Sequence, residues 1–208
     1  MPFAKISRGV SLTALAGALL VLAFTGSARA AVGNPYDCSP QAIVSQSFAQ
    51  WGDLAQYTPA PNAGVENGAT GWTLSAGATV VEGNEPWKIG GNADAKALEL
   101  SAGASAVTAP MCIDRTFPHF RFFANRLASR GELKIDVLFY DTKGNIKATK
   151  AIAYRPTFSG WQPTGMINIG VFTAATTVAA APVAFRFTTT KDSGYRIDDV
   201  YVDPMGRH

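Results

Sequence analysis

The chain has 208 residues, of which 18 are basic and 15 acidic, and its formal net charge is +3. The basic excess lies entirely in residues 1–30, which hold three basic residues and no acidic ones, so residues 31–208 carry 15 charges of each sign. A nucleic-acid-binding protein depends on a surplus of Lys and Arg for its affinity. The neutral remainder therefore argues against nucleic acid as a partner.

Residues 1–30 have the three-part layout of a secretory signal peptide. A basic start is followed by an apolar stretch from Val10 to Phe24, and the tripeptide Ala28-Arg29-Ala30 predicts cleavage after Ala30. The apolar stretch is 15 residues long, whereas a membrane-spanning helix needs about 20. An uncleaved membrane anchor is the alternative. We expect an exported, monomeric protein without membrane insertion.

The rest of the chain is long enough for one domain. We divide it into an N-terminal arm at residues 31–61, with one helical turn expected within Ile43–Trp51, and a domain at residues 62–208. The two cysteines, Cys38 and Cys112, lie one in each part. In an exported protein they predict a disulfide that ties the arm to the domain, with two free buried thiols as the alternative. They do not predict a structural zinc site, which needs four ligands.

From Trp72 onward, short β-branched or aromatic runs are separated by Gly, Asn, Asp and Pro clusters, as in strands joined by turns. The predicted strands, in chain order, are Thr79–Val81, Ala97–Leu100, Ala106–Thr108, His119–Phe123, Leu133–Tyr140, Lys147–Tyr154, Met166–Phe172, Val183–Thr189 and Tyr195–Val202. The residues after Tyr140, Asp141–Asn145, predict a hairpin turn. Because no segment sustains a 3.6-residue period, the sequence predicts an all-β protein, an antiparallel β-sandwich.

Two segments resemble the ends of a jelly-roll carbohydrate-binding module of the galactose-binding-like type. The first is Asn62-Ala-Gly-Val-Glu66-Asn-Gly68 followed by Gly71-Trp72-Thr73, and the second is Tyr195-Arg-Ile-Asp198-Asp199-Val-Tyr201-Val202. Between them only the strand rhythm matches. The resemblance implies a jelly-roll topology and a carbohydrate ligand. The chain also resembles uncharacterised secreted proteins of high-GC bacteria, a likeness that implies no activity.

In such modules the first and last strands lie side by side, and a structural calcium often lies where they meet. Calcium prefers six to eight oxygen ligands. The resemblance implies three carboxylate ligands, Glu66, Asp198 and Asp199. Oxygens near Gly64 or Glu85 would complete the shell. Alternatively, the two aspartates cap a bulge or form ion pairs with the arginines at positions 196 and 186.

Sugar binding needs an aromatic surface for the apolar faces of pyranose rings and a few polar groups for the hydroxyls. Trp87 and Trp161 lie among turn residues and are the aromatic candidates for ligand binding. Trp72 comes at the start of the strand region and is expected in the core. For the two loop tryptophans the alternative role is to plug an end of the sandwich.

Strand alternation also predicts a polar sheet face. If Phe120 and Phe122 point inward, the residue between them points outward. One antiparallel sheet would then gather four candidate ligand-binding residues on a concave surface: Arg121, Asp136, Tyr140 and Arg186. Their guanidinium groups suit sugar hydroxyls or an acidic sugar. The alternative is a solvated face whose ion pairs contribute little.

The sequence contains no Gly-x-Ser-x-Gly elbow, no His-Glu-x-x-His motif and no phosphate-binding glycine loop. We therefore expect a secreted, non-catalytic module that recognises carbohydrate or cell-envelope glycan. One alternative is a structural or adhesive extracellular protein that contacts other proteins. Another is a jelly-roll polysaccharide lyase acting through His119, Arg121, Tyr140 and Arg186, although the strand motifs of such lyases are absent.

Overall fold

Short strands with alternating apolar residues are the main secondary structure of the described residues. The computed structural model describes residues 36, 38, 45–156, 159–170 and 180–203, all of which belong to the unit Val32–His208. The signal peptide predicted at residues 1–30 lies outside these residues. Within the described part of the chain, no helix has the length and apolar character needed to cross a membrane.

The secondary structure of the described residues consists of one short helical turn and a series of strands. In chain order they are a 3-10 turn at Ala49–Trp51 and the strands β1 Thr58–Pro59, β2 Thr73–Leu74, β3 Ala78–Glu82, β4 Lys96–Leu100, β5 Ser105–Val107, β6 Met111–Ile113, β7 His119–Arg126, β8 Leu133–Tyr140, β9 Ile146–Tyr154, β10 Gly160–Pro163, β11 Ile167–Asn168, β12 Ala181–Thr189 and β13 Tyr195–Asp203. Each predicted strand overlaps one of these. Strands β1, β2, β6 and β10 were not predicted, because two to four residues are too few to show an alternating pattern.

The strands form two antiparallel sheets that face each other in a jelly-roll sandwich, which confirms the predicted fold. The first sheet has the order β10-β7-β13-β4-β3, with β1 beside β13 and β11 beside β7. The second sheet has the order β2-β5-β12-β8-β9, with β6 beside β12. The predicted hairpin joins β8 to β9, and the Asp141 N–H donates to the Asn145 carbonyl across it.

Aromatic side chains from both sheets meet in the core. Phe120 on β7 stacks on Phe185 of β12 with ring centroids 4.5 Å apart, and Phe122 meets Phe187 at 5.1 Å. All four are buried. Trp72 is buried as expected and stacks on Phe187. Because Phe120 and Phe122 point inward, the residues between and beside them are left on the outer face of the first sheet.

The last strand contains a bulge. The pairing of β13 with β7 shifts register between Asp198 and Tyr201, and Asp199 has a left-handed backbone with φ of 49°. Ile197 and Val200 consequently both face the core, which a regular strand would not allow because they are three residues apart.

The strand predicted at Met166–Phe172 is shorter than expected. Pairing is confined to Ile167–Asn168, and Val171 and Phe172 lie outside the described residues. The Asn168 side chain accepts the N–H of Gly170 at 2.7 Å, and Gly170 has a left-handed φ of 87°. This local turn ends the strand, because an Asn side chain competes with a sheet for the backbone N–H two residues on.

The N-terminal arm contacts both sheets. Cys38 is bonded to Cys112 on β6, which confirms the predicted disulfide. Tyr36 lies against Tyr140 of the second sheet with ring centroids 5.2 Å apart. Further along the arm, Phe48 packs on Phe123, which lies on the outer face of the first sheet.

The disulfide should contribute measurably to stability. It closes a loop with a sequence separation of 74 residues, and the loop-entropy argument gives such a bridge at most about 4–5 kcal/mol. We expect the Cys38→Ser/Cys112→Ser variant to melt well below the wild type in calorimetry. A reductant should lower the wild-type midpoint and leave the variant unchanged. Equal midpoints for the two oxidised proteins would contradict a stabilising role.

Candidate functional site

Carboxylates gather where the β13 bulge meets two loops of the chain. We call this group the acidic cluster; its members are Glu66 from the β1–β2 connection, Glu85 and Asp94 from the β3–β4 loop, and Asp198 and Asp199 from the bulge. One carboxylate oxygen from each of Glu85, Asp94 and Asp199 lies within 4.8 Å of the others. The cluster brings together the three predicted ligands and adds Asp94.

Backbone N–H groups hold members of the cluster in place. Both oxygens of Asp198 accept N–H groups, one from Glu85 at 3.2 Å and one from Asp199 at 2.9 Å. Glu66 Oε1 accepts the N–H groups of Ala95 and Lys96. These contacts fix the β3–β4 loop against the bulge and against the loop that follows β1.

Two other members have oxygens without a partner. Asp94 Oδ1 and Asp199 Oδ2 are buried and accept no hydrogen bond from any described residue. Among the described residues, no ion pair joins the buried carboxylates of the cluster to a basic side chain. The alternative pairing of the two bulge aspartates with arginines is not observed, because Arg196 pairs with Glu99 and Arg186 with Asp136.

Burial and mutual repulsion dominate the electrostatics of the cluster. Burial, with the charge of Asp199 adding to it, raises the pKa of Asp198 to about 10. Burial and the charge of Asp94 raise the pKa of Asp199 to about 8, and burial also raises the pKa of Asp94 to about 6. Crowded buried anions of this kind disfavour the charged form unless a cation neutralises them.

The cluster fits a hard divalent cation. Its donor atoms are all oxygens, which calcium and magnesium prefer, and two buried oxygens have no other partner among the described residues. Glycines line it on two sides: a Cβ added at Gly64 would lie 3.2 Å from Asp199 Oδ1, and one added at Gly90 would lie 3.2 Å from Asp94 Cγ. The absence of side chains there leaves the space beside the carboxylates free.

An aromatic group covers the outer face of the first sheet. We call it the aromatic face; it consists of the buried Phe48, Tyr57, Phe123 and Tyr201 with the partly buried Trp51, Trp87 and Trp161 packed against them. Trp51 meets Trp87 edge-on at 5.0 Å and Phe123 at 5.4 Å. Glu85 of the acidic cluster accepts the N–H of Trp87, so the two groups are joined through one loop.

A buried arginine is locked into this face. Arg121 is only 8% exposed; its guanidinium lies 4.0 Å from the Phe48 ring centre and donates to Asp53 at 2.6 Å and to the Thr164 carbonyl at 2.8 Å. The Tyr57 hydroxyl also donates to Asp53, at 2.6 Å. Burial alone would raise the pKa of Asp53, but the hydrogen bonds from Tyr57, the Ala55 N–H and Arg121 together lower it.

Polar side chains lie on part of the outer face of the second sheet. We define the polar face by Lys134, Asp136 and Tyr140 on β8 and Arg186 on β12. Arg186 lies directly across from Asp136, and its Nε and Nη2 both donate to Asp136 Oδ2, at 2.9 and 2.6 Å. Burial and the neighbouring Tyr36 raise the pKa of Tyr140, while Arg186 opposes them, so the Tyr140 hydroxyl keeps its proton at neutral pH.

The predicted four-residue surface is divided between the two sheets. Asp136, Tyr140 and Arg186 do share one face, but Arg121 lies on the outer face of the other sheet with Trp87 and Trp161. The expectation that all four gather on one surface is therefore wrong, because β7 pairs with β13 rather than with β8 or β12. The same division separates His119 and Arg121 from the other two members of the proposed lyase constellation.

Two groups of site residues were missed in the sequence. Asp94 follows the run Gly90-Gly-Asn-Ala, which has the composition of a turn. An acidic residue directly after a turn is only a weak signal of a metal site. Trp51 and Asp53 were assigned only to the arm, and nothing local shows that the arm folds over β7. Their contacts with β7 are to residues about 70 positions away, as in the Arg121–Asp53 pair.

No protein-family model matches this chain, and no curated protein matches it. Solved structures share its fold. The enzymatically active domain of bacteriophage CBA120 tailspike protein 4 is 16% identical with a TM-score of 0.50, over 69% of this chain and 21% of that one. An arabinose-bound α-L-arabinofuranosidase, MgGH51, is 14% identical with a TM-score of 0.49, over 70% and 26%. Family 16 Carbohydrate Binding Module-2 is 14% identical with a TM-score of 0.43, over 69% and 97%.

These likenesses concern the fold alone. The chain spans about a fifth of the length of the tailspike chain and about a quarter of that of the arabinofuranosidase. The neighbours thus include a tailspike domain, an arabinofuranosidase and a carbohydrate-binding module, all of them distant in sequence.

The ion pair between Asp53 and Arg121 predicts that the stability of the protein depends on pH. A carboxyl whose pKa is lower in the folded state stabilises the protein above its unfolded pKa, and this contribution is lost as the pH falls through the folded pKa. At pH 7, Asp53→Asn should destabilise by about 1–3 kcal/mol, because it removes the charged partner of the buried Arg121. The difference should shrink below about pH 4.

Thermal melts from pH 2.5 to 8 would measure this difference. The matched control is Asp192→Asn, which removes a carboxylate from an exposed turn and should follow the wild type throughout. An Asp53→Asn deficit that stayed constant down to pH 2.5 would contradict the assignment.

Proposed function

We propose that this chain is an exported, non-catalytic module that binds carbohydrate or cell-envelope glycan on the polar face of its second sheet. The observation that carries the proposal is the Asp136–Arg186 pair, which is only partly buried on the outer face of the second sheet. The Arg186 side chain is 40% exposed and that of Asp136 is 19% exposed. Export is supported by the predicted leader and by the disulfide.

The surroundings of this pair suit a sugar. Asp136 lies across from Ala151 on β9, and Lys134 lies across from Ala153. These small side chains leave a cleft of about 330 Å³ beside Asp136. A carboxylate and a guanidinium held in fixed positions can accept from and donate to neighbouring hydroxyls of one ring.

An aromatic pair closes one end of the polar face. Tyr36 and Tyr140 are both partly exposed, with ring centroids 5.2 Å apart and planes inclined by 47°. Aromatic rings offer an apolar surface to the C–H groups of a pyranose, and the protonated Tyr140 hydroxyl can donate to a sugar oxygen. The disulfide at Cys38 keeps Tyr36 in place. The arm would thus complete the site.

The non-catalytic role is supported by how the candidate catalytic groups are distributed. His119, the one histidine in the described part of the chain, is on the first sheet. The polar face therefore combines ion pairs and tyrosines without an adjacent imidazole. Among the described residues, it lacks the imidazole that the lyase alternative would use.

Retention on immobilised glycans tests the proposal. We expect Arg186→Ala to weaken binding to the preferred polysaccharide at least about tenfold, because it leaves Asp136 unpaired and removes the main donor. Arg196→Ala is the matched control, since Arg196 forms a similar half-exposed pair with Glu99 on the other sheet. Affinity electrophoresis across neutral and acidic polysaccharides gives the readout.

Two results would contradict the proposal. One is retention that Arg186→Ala and Arg196→Ala affect equally. The other is binding to proteins of an extracellular matrix without binding to any polysaccharide, which would favour the adhesive alternative.

We also propose that the acidic cluster holds a structural calcium ion. Glu85, Asp94 and Asp199 would supply the central carboxylates, with Asp198 and Glu66 beside them and backbone oxygen near Gly64 completing the shell. Support comes from the two unpartnered buried oxygens and from the all-oxygen donor set. The ion would offset the repulsion among the buried carboxylates and hold the β3–β4 loop to the last strand.

Melting with and without calcium tests this second proposal. A ligand at 100 times its Kd stabilises by about 2.7 kcal/mol, which corresponds to about 5–11 °C for a domain of this size. We expect that rise for the wild type after EDTA treatment and calcium addition. Asp199→Asn should lose most of it; asparagine tolerates the left-handed backbone at this position.

The matched control here is again Asp192→Asn, which should respond to calcium as the wild type does. Tryptophan emission provides an independent readout, because Glu85 positions the Trp87 backbone. An unchanged midpoint and an unchanged spectrum in the wild type would remove the calcium proposal and leave the glycan proposal intact.

A further inference from the structure

A second cleft opens on the outer face of the first sheet. Its volume is about 500 Å³, and its lining includes Trp51, Asp53, Leu54, Arg121, Gly165 and Met166. All of these except Arg121 come from the arm or from the loop between β10 and β11, and Arg121 comes from β7. The cleft therefore exists only because the arm and this loop meet over the sheet.

The walls of the cleft are apolar and exposed. Leu54 and Met166 are 59% and 60% exposed, and they are two of the four large apolar side chains that stand exposed in the described part of the chain. Trp51 lines the same cleft and is held in place by its edge-on contact with Trp87. Exposed apolar groups gathered at one concave site mark a binding surface more often than scattered ones do.

The floor of the cleft is polar and rigid. Asp53 and Arg121 are joined at 2.6 Å, and the Thr164 carbonyl fixes the arginine from the other side. The side chain of Asp53 keeps 20% of its surface exposed. Because the two charges neutralise each other, the floor offers hydrogen-bonding groups without attracting ions.

We propose that this cleft is a second carbohydrate site, which takes a neutral pyranose residue. The ring would lie against the Trp51 indole between Leu54 and Met166, with its hydroxyl groups on the Asp53–Arg121 pair. A volume of about 500 Å³ is within the usual range for small-ligand pockets, roughly 300–1,000 Å³.

The size of the cleft favours a sugar over a protein partner. A stable protein interface buries about 800 Å² on each side, and the other two exposed large apolar residues, Leu127 and Ile146, do not line the cleft. The polar face and this cleft lie on the outer faces of different sheets. A single domain would then be able to hold two glycan chains at once, which raises its avidity for a polysaccharide surface.

Gly165 provides a variant that blocks the cleft without disturbing the fold. A Cβ added there meets no atom within 4 Å, and the backbone is outside the left-handed region. Gly165→Leu should therefore fill the cleft with a side chain. Met166→Ser removes one wall, and Leu127→Ser is the matched control because it removes another exposed apolar residue, one that follows the end of β7 and does not line the cleft.

The test uses the full chain carrying Arg186→Ala, so that the polar face does not contribute. Neutral tetrasaccharides of glucose, xylose, mannose and galactose are titrated while tryptophan fluorescence and saturation-transfer NMR are recorded. We expect at least one tetrasaccharide to change the tryptophan signal. Gly165→Leu and Met166→Ser should each lower that affinity at least about tenfold, and Leu127→Ser should leave it unchanged.

Each outcome separates the two sites. If the Arg186→Ala protein binds none of the tetrasaccharides, or if Gly165→Leu has no effect, the second site is overturned while the polar face stands. If Arg186→Ala leaves polysaccharide retention intact and Gly165→Leu abolishes it, the second site is supported and the assignment of the polar face is wrong.

Discussion

The bulge in the last strand is the constraint on which the acidic cluster and part of the aromatic face depend. Its one extra residue keeps the Ile197 and Val200 side chains in the core and places Asp198 and Asp199 together in a buried corner. The Glu85 N–H then binds Asp198, which fastens the β3–β4 loop to the strand. That loop carries Trp87 onto the outer face of the first sheet, so one backbone irregularity positions the acidic cluster and part of the aromatic face together.

The N-terminal arm acts as a clamp across the sandwich. Its disulfide is at β6 of the second sheet, Tyr36 contacts Tyr140 on that sheet, and Phe48 stacks on Phe123 of the first sheet. Without the arm, β7 would present Phe123 to water, and Arg121 would lose its contact with Phe48. The arm therefore buries apolar surface on one side while it completes a partly exposed tyrosine pair on the other.

The two outer faces use the same residue types in different environments. Arg121 is almost fully buried, stacked on an aromatic ring and bound to an aspartate and a carbonyl, so it serves as a fixed floor. The Arg186 side chain is 40% exposed, and its Nε and Nη2 both donate to one oxygen of Asp136. Arg186 therefore remains available to a ligand. An arginine–aspartate pair gains rigidity with burial and accessibility with exposure, and the described part of the chain has one pair of each kind.

The sequence by itself determined the local and strongly periodic features. Alternation in segments such as Leu133–Tyr140 predicts strands and their inward faces, because side chains alternate across a pleated sheet. The count of two cysteines allows a single pairing and so predicts the disulfide. The spacing of Ile197 and Val200 indicates a bulge, because the two side chains cannot share a face of a regular strand. Which strand lies beside which was decided only by the tertiary structure. Strand pairing placed Arg121 and Arg186 on different sheets. The folding of the loops and of the arm added Asp94 to the acidic cluster and brought Trp51 and Asp53 onto β7. These contacts join positions far apart in the chain, and their energies depend on burial and mutual geometry, which no local pattern of residues encodes.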